Sequence, residues 1–202
     1  MLIDVARATV LDVYHTLVGV VTPRPIAWVT SVDAAGRVNL APFSFYNAFG
    51  ANPPVVVFSP TLRRDGSRKD TLRNVEATGE FVLNAAVESL AEQVNLSSKE
   101  LPYGVSEVEF TGLHLLPALR VKPPRLAEAP VHMECKVLQV VPIGTGAIAA
   151  NLVIGEVVVM HVDDAVLDEQ GRVDPRKLRT IARLGGDSYC RTTDIFEMKR
   201  PT

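Results

Sequence analysis

Residues 22–60 read TPRPIAWVTSVDAAGRVNLAPFSFYNAFGANPPVVVFSP, and the fold class turns on this stretch. Residues 26–32, IAWVTSV, are rich in branched and aromatic side chains and alternate well enough for a strand. The DAAGR that follows has turn chemistry centred on Gly36, which sends VNLAPFSFYNAF back antiparallel. NPP breaks the chain, and residues 55–59, VVVFS, form a short apolar strand of the buried kind. The returning strand is unusual. A plain core strand carries larger branched side chains, but here Asn39, Ser44, Tyr46 and Asn47 share the strand with the small Ala41 and Ala48. Either this strand leaves room for a flat object with a polar edge, or it faces a tight core.

Working outward, the segment RRDGSRKDTLRNVEATGEF puts Leu72 and Val75 on one helical face. Gly79 stands where that helix stops, and Ser67 or Asp70 is the expected N-cap. Residues 80–86, EFVLNAA, return to strand, and ESLAEQVNLSS reads as a second short helix. The part from Glu107 to Pro124 is irregular, with turns at Gly112 and Pro117. Two long β runs follow at residues 131–141 and 147–162, joined by an IGTG turn, with Gly155 as a bulge or kink in the second. Further on, Pro175 opens a short helix and RLGG makes a turn. The order β-β-β-α-β-α-β-β lacks the regular alternation of a doubly wound sheet and argues for a mainly β, antiparallel barrel. Residues 1–202 read as one domain, with a C-terminal extension from about residue 163.

Composition narrows the function. The 202 residues are 47% hydrophobic and 22% charged, with a net charge of −2, so no basic field points to nucleic acid. No apolar run reaches the roughly 18 residues of a membrane span. The opening residues carry Asp4 and Asp12 and no cleavage-site pattern, so they do not read as a signal peptide. Cys135 and Cys190 are far apart and have no partner pattern, which fits reduced thiols in a cytoplasmic protein. His15, His114, His132 and His161 sit in separate segments without ligand spacing, so no metal site is expected. GTGAIA at residues 144–149 lies between two strands, the wrong context for a dinucleotide turn.

What remains is a polar wall, Asn39 to Asn47 with Ser59, followed by Arg63, Arg64, Lys69, Asp70 and Thr71 at a helix start. The first group suits the edge of an aromatic heterocycle. The second offers cations, a hydroxyl and helix amides to a phosphate. A ring with a phosphate tail is the shape of a mononucleotide cofactor. The plainer alternative is a solvated charged loop beside a core strand.

These residues carry a resemblance. RPIAWVTSVDAAGRVNLAPFSFYNAFGANPPVVVFSP and then RKDTLRNVEATGEFVLN resemble the flavin-reductase-like family of FMN-binding split-barrel proteins. EQVNLSS, GVSEVEFTGL, APVHMECKV and LVIGEVVVMHV follow in the family's order, and IARLGGDSYCRTTDIFEMKRP looks like the ending of one of its branches. The resemblance implies a six-stranded antiparallel Greek-key split β-barrel with a few flanking helices, forming a homodimer with FMN near the subunit interface. It implies a flavin reductase taking hydride from NADH or NADPH, often serving a monooxygenase or other flavin-using acceptor. A non-enzymatic FMN carrier or electron-transfer protein is the alternative.

Carried over, Trp28, Val29, Thr30 and Ser31 would contact the ring and ribityl chain, and Asn39, Leu40, Ala41, Ser44, Phe45, Tyr46 and Asn47 would continue that wall. Ser59, Arg64, Lys69, Asp70 and Thr71 would surround the ribityl end and phosphate. No catalytic acid or base is implied, because the flavin carries the chemistry. Tyr189, after RLGGDS, packs the tail onto the barrel or covers the flavin.

Overall fold

The computed structural model describes residues 2–201. Strands β1 (Arg24–Pro25), β2 (Ala27–Val32), β3 (Val38–Phe43), β4 (Tyr46–Ala51) and β5 (Pro54–Phe58) follow helix α1 (Val10–Val20). Helix α2 (Asp70–Thr78) leads into β6 (Glu80–Ala85), and α3 (Ala91–Leu96) and α4 (Val108–Thr111) come next. The short β7 (Leu115–Leu116) and β8 (Arg125–Leu126) precede the long hairpin of β9 (Val131–Ile143) and β10 (Ala150–Val162). Helix α5 (Pro175–Leu178) and strands β11 (Ile181–Arg183) and β12 (Tyr189–Arg191) form the tail.

The main sheet runs β3-β2-β6-β9-β10-β5-β4, with every neighbouring pair antiparallel. It has seven strands, not the expected six, because VNLAPFSFYNAF is not one strand. The chain leaves the ladder at Ser44 and Phe45, and the two halves fall at opposite ends of the strand order. Two residues therefore tie the first strand of the sheet to the last, which curls the sheet round into a barrel. The break has named causes. The Arg24 guanidinium reaches the Ser44 hydroxyl at 3.4 Å, and the Phe45 carbonyl accepts from the Ser59 amide at 2.9 Å.

The barrel interior holds Val29, Phe43, Phe58, Phe81, Leu83 and Val153, all buried. Leu72 and Val75 of α2 join them, as their shared helical face requires. Phe81 meets Phe58 edge-on at 5.1 Å between ring centroids. Gly155 marks a register shift between β9 and β10, as its place in an apolar strand predicts. A Cβ there would lie 2.5 Å from the Phe81 ring, so glycine is required by close approach. A second buried cluster covers the other face of β2, where Ile26, Trp28 and Leu40 pack on Val94, Leu126 and Ile181.

Other expectations shift in detail. Helix α2 ends at Gly79 with φ 70°, as expected, but neither Ser67 nor Asp70 is its N-cap. Lys69 holds that position and supplies no capping side chain, while Asp70 pairs with Arg63 at 3.1 Å. The irregular stretch after Glu107 contains α4 and β7. Helix α1, capped by the Thr9 hydroxyl accepting from the Asp12 amide at 3.1 Å, was not anticipated. The tail hairpin of β11 and β12 adds to β1 as a separate three-stranded sheet. Arg24 ties these pieces together, donating to the carbonyls of Val18, of Val21 at 2.8 Å and of Leu184 at 2.9 Å. Among the described residues no helix is long and apolar enough to cross a membrane.

Candidate cofactor groove

Two adjoining cavities lie beside the β3–β4 break. The larger, about 280 Å³, is bounded by Phe43, Ser44 and Phe45 on one side and by Ser59 and Thr61 after β5. Asn95 and Ser98 come from α3 and the turn after it, Tyr14 from α1, and Arg183, Asp187 and Tyr189 from the tail. The smaller, about 150 Å³, is lined by Asn39, Ala41, Arg63, Asp70 and Thr71, with the loop at residues 97–101 and Glu107 opposite. Pro42, Phe43, Lys69 and Ser98 line both, so the two form one groove running along the end of β3 to the start of α2.

Lys69 is the electrostatic centre of that groove. It is half-buried, its ammonium lies 5.5 Å from the Phe43 ring centroid, and it pairs with no carboxylate among the described residues. Burial pushes its pKa below the ordinary value, with Glu100 opposing and Arg63 assisting. The first hydrogen bond of α2 runs from the Arg73 amide to the Lys69 carbonyl at 3.2 Å, so the amides of Asp70, Thr71 and Leu72 precede the helical ladder and carry no bond among the described residues. The Thr71 hydroxyl accepts from the Asn39 side-chain amide at 2.9 Å, which leaves its own proton available to donate. The Glu107 carboxylate accepts from the Leu40 amide at 2.9 Å. Burial raises the Glu107 pKa, with that amide opposing.

Of the residues expected to bind a cofactor, Asn39, Ala41, Ser44, Phe45, Ser59, Lys69, Asp70 and Thr71 line this groove. The others lie elsewhere. Strand β2 is buried along its whole length. Trp28 donates its indole N–H to the Ser97 hydroxyl at 2.8 Å, so it positions the loop that borders the groove. Val29 faces the barrel core, Thr30 donates to the Pro124 carbonyl at 2.5 Å, and Ser31 accepts from Asn74 at 3.1 Å. Leu40 points its side chain into the second cluster. Tyr46 lines a separate apolar cavity of about 350 Å³, and burial, with Cys135 nearby, pushes its pKa up to about 12. Asn47 is exposed and bonds its neighbour's amide, Ala48, at 2.8 Å. Arg64 is exposed, and its neighbour Arg63 lines the groove instead.

Sequence reasoning missed Tyr14, Asn95, Ser98, Glu107, Arg183 and Asp187. The only signal was the RLGGDSY turn, whose flanking arginine and tyrosine it brings to the groove. The histidines are not all apart: His132 and His161 face each other across β9 and β10, with ring centroids 6.0 Å apart. Beside them the buried Glu134 carboxylate accepts from the amides of Leu119 at 2.8 Å and Arg120 at 2.6 Å and from His161 at 2.7 Å.

The flavin reductase like domain profile matches residues 20–181, and the chain belongs to that family, a family of flavin-binding split-barrel proteins. Among solved structures, the chain is similar to nitrilotriacetate monooxygenase component B from Bacillus cereus, with 36% identity, TM-score 0.92, and 98% of each chain covered. It is similar to the 2-nitrobenzoate 2-nitroreductase NbaA of Pseudomonas fluorescens, with 34% identity, TM-score 0.89, and 100% of this chain and 97% of that one covered. A Shewanella frigidimarina protein described as having a split barrel domain shares the fold at 22% identity and TM-score 0.84, with 100% of each chain covered.

Proposed function

We propose that this chain is an FMN-binding oxidoreductase that passes hydride from NADH or NADPH to the flavin. The observation that carries the reading is the start of α2, where three amides and the Lys69 ammonium, all without partners among the described residues, stand with the Thr71 hydroxyl at the groove. That set fits a phosphate: it supplies donors and positive charge with no capping side chain in competition. Pro42 and Phe43 between the two cavities, with Ala41 in the smaller one, suit a flat ring, and Ser44, Ser59 and Ser98 suit its polar edge. Bound FMN supplies the hydride-accepting chemistry.

The chain's own residues bind, orient and shield. Lys69, Thr71 and the α2 amides hold the anionic end. Asp70 fixes Arg63, and Asn39 fixes the Thr71 hydroxyl, so the anion site is preorganised before a ligand arrives. Trp28 holds Ser97 and so sets the loop over the smaller cavity. No acid or base is required of the protein.

We place the working protein as a homodimer in the cytoplasm, with its two thiols free. Strand β4 is a sheet edge exposed from Asn47 to Ala51, and Phe49 on it is 68% exposed, as a surface awaiting a second copy would be. The likeness to a monooxygenase component B supports a flavin-using enzyme as the downstream partner. The test is the visible spectrum of the protein with FMN under anaerobic conditions, before and after NADH and then NADPH. Bleaching well above the free-FMN control supports the reductase. Binding without bleaching by either nucleotide makes the chain an FMN carrier, and no binding overturns the cofactor site.

A further inference from the structure

The tail brings to the groove two residues, Arg183 and Tyr189, to which the proposed FMN contacts assign no role. Arg183 closes β11, Tyr189 opens β12, and the two are register partners. The guanidinium carbon of Arg183 lies 4.5 Å from the Tyr189 ring centroid, and one of its amino groups donates to the Gly186 carbonyl at 2.7 Å. Both side chains are half-buried and line the larger cavity. Tyr189 packs from below on the cluster around Trp28 and Ile181, so the stack has a fixed floor. Arg183 pairs with no carboxylate among the described residues. Its neighbour across the β1–β11 ladder, Arg24, is different, because its guanidinium is committed to three backbone carbonyls and Ser44.

Three cations on the groove pair with no carboxylate among the described residues: Lys69, which lines both cavities, Lys99 at the smaller one and Arg183 at the larger one, while FMN carries one phosphate. Lys69 stands with the start of α2 and Lys99 lines the smaller cavity with it, which leaves Arg183, on the larger cavity alone, for something else. A guanidinium stacked on an aromatic ring is a flat cationic plate: its plane accepts another ring, and its remaining N–H groups accept an anion. Resting on the flavin reading above, we propose that Arg183 and Tyr189 form the subsite for the groove's second ligand, an aromatic ring bearing an anionic group. A nicotinamide dinucleotide donor has that chemistry, and so does an aromatic carboxylate acceptor.

The test uses the full chain, its Arg183→Gln, Arg183→Lys and Tyr189→Leu variants, and circular dichroism to establish that each is folded. FMN is titrated first. NAD⁺, NADP⁺ and benzoate are then titrated calorimetrically into the FMN-loaded proteins. The expected result is FMN affinity within about twofold of the parent in every variant, with at least one probe weakened tenfold or more by R183Q and Y189L. Arg183→Lys should fall between, because it keeps the charge but loses the plate. A nucleotide affected alone identifies the donor; benzoate affected alone identifies the acceptor. Unchanged binding of all probes, or no binding of any probe to the parent, overturns the proposal. So does FMN binding weakened as much as probe binding, which would put Arg183 in the flavin cradle. If the parent takes up no FMN, the flavin reading fails by itself; the same probes on the unloaded chain still judge the subsite, and unchanged binding in R183Q overturns it.

Discussion

Lys69 joins a loss in stability to a gain in binding. Burial lowers its pKa, so between the folded value and the ordinary one of 10.5 the unfolded chain holds more protons than the folded chain. Stability therefore rises with pH through that window, and below it the buried charge is a penalty that a bound phosphate relieves. Lys69→Met should leave the melting temperature of the FMN-free protein unchanged or higher. It should weaken FMN by roughly ten- to hundredfold, the range of a lost charge-assisted hydrogen bond. For the parent, FMN affinity should fall as pH rises through the Lys69 value. Fluorescence titration at several pH values and a thermal melt check these outcomes. The two thiols should also separate. Cys135 is fully buried, and burial, with Glu134 nearby, pushes its pKa up, whereas Cys190 is only half-buried. A thiol reagent at pH 8 should titrate one cysteine in the native protein and two in denaturant.

At the scale of elements, the β9–β10 hairpin is where packing is least forgiving. A methyl group at position 155 would meet the Phe81 ring, which is held against Phe58 and has no exposed side to move toward. Gly155→Ala should destabilise by about 1–3 kcal/mol, read from urea unfolding, through overpacking alone. A loss below about 0.5 kcal/mol would mean that Phe81 can rotate away. The hairpin and α2 were both readable because their signals are local: an apolar run with one glycine, and a stripe of Leu72 and Val75 stopped by Gly79. The break at Ser44–Phe45 was not readable. Neither residue disfavours a strand, and the interactions that break it come from Arg24, 20 positions earlier, and from Ser59. The uncapped start of α2 was hidden in the same way, because Asp70 looks like a cap until Arg63 is seen to hold it.

Across the whole molecule, acid should be the weak direction. His132 is buried, donates from Nε2 to the Leu126 carbonyl at 2.7 Å, and has no partner at Nδ1 among the described residues. Burial lowers its pKa, so the unfolded chain takes up the proton first as pH falls through the ordinary 6.5. Stability should therefore drop from pH 6.5 downward until the folded value is passed, and replacing His132 with leucine should flatten that slope in urea unfolding. Assembly is testable at the same scale. If the chain is the homodimer proposed above, Phe49→Glu should shift its sedimentation toward that of a monomer; no shift would exclude the β4 edge from the interface. Most of the succession of strands and helices along the chain, the mainly β class and the helix that begins at Asp70 and Thr71 followed from the sequence alone, because periodicity, turn residues and a glycine stop act within a few positions. The seventh strand, the replacement of Arg64 by Arg63 at the groove, the withdrawal of Trp28 to Ser31 into the core, and the arrival of Arg183 and Tyr189 were decided only by the tertiary structure. Each depends on which face of a strand turns inward, or on contacts between residues far apart in the chain, and no local pattern encodes either.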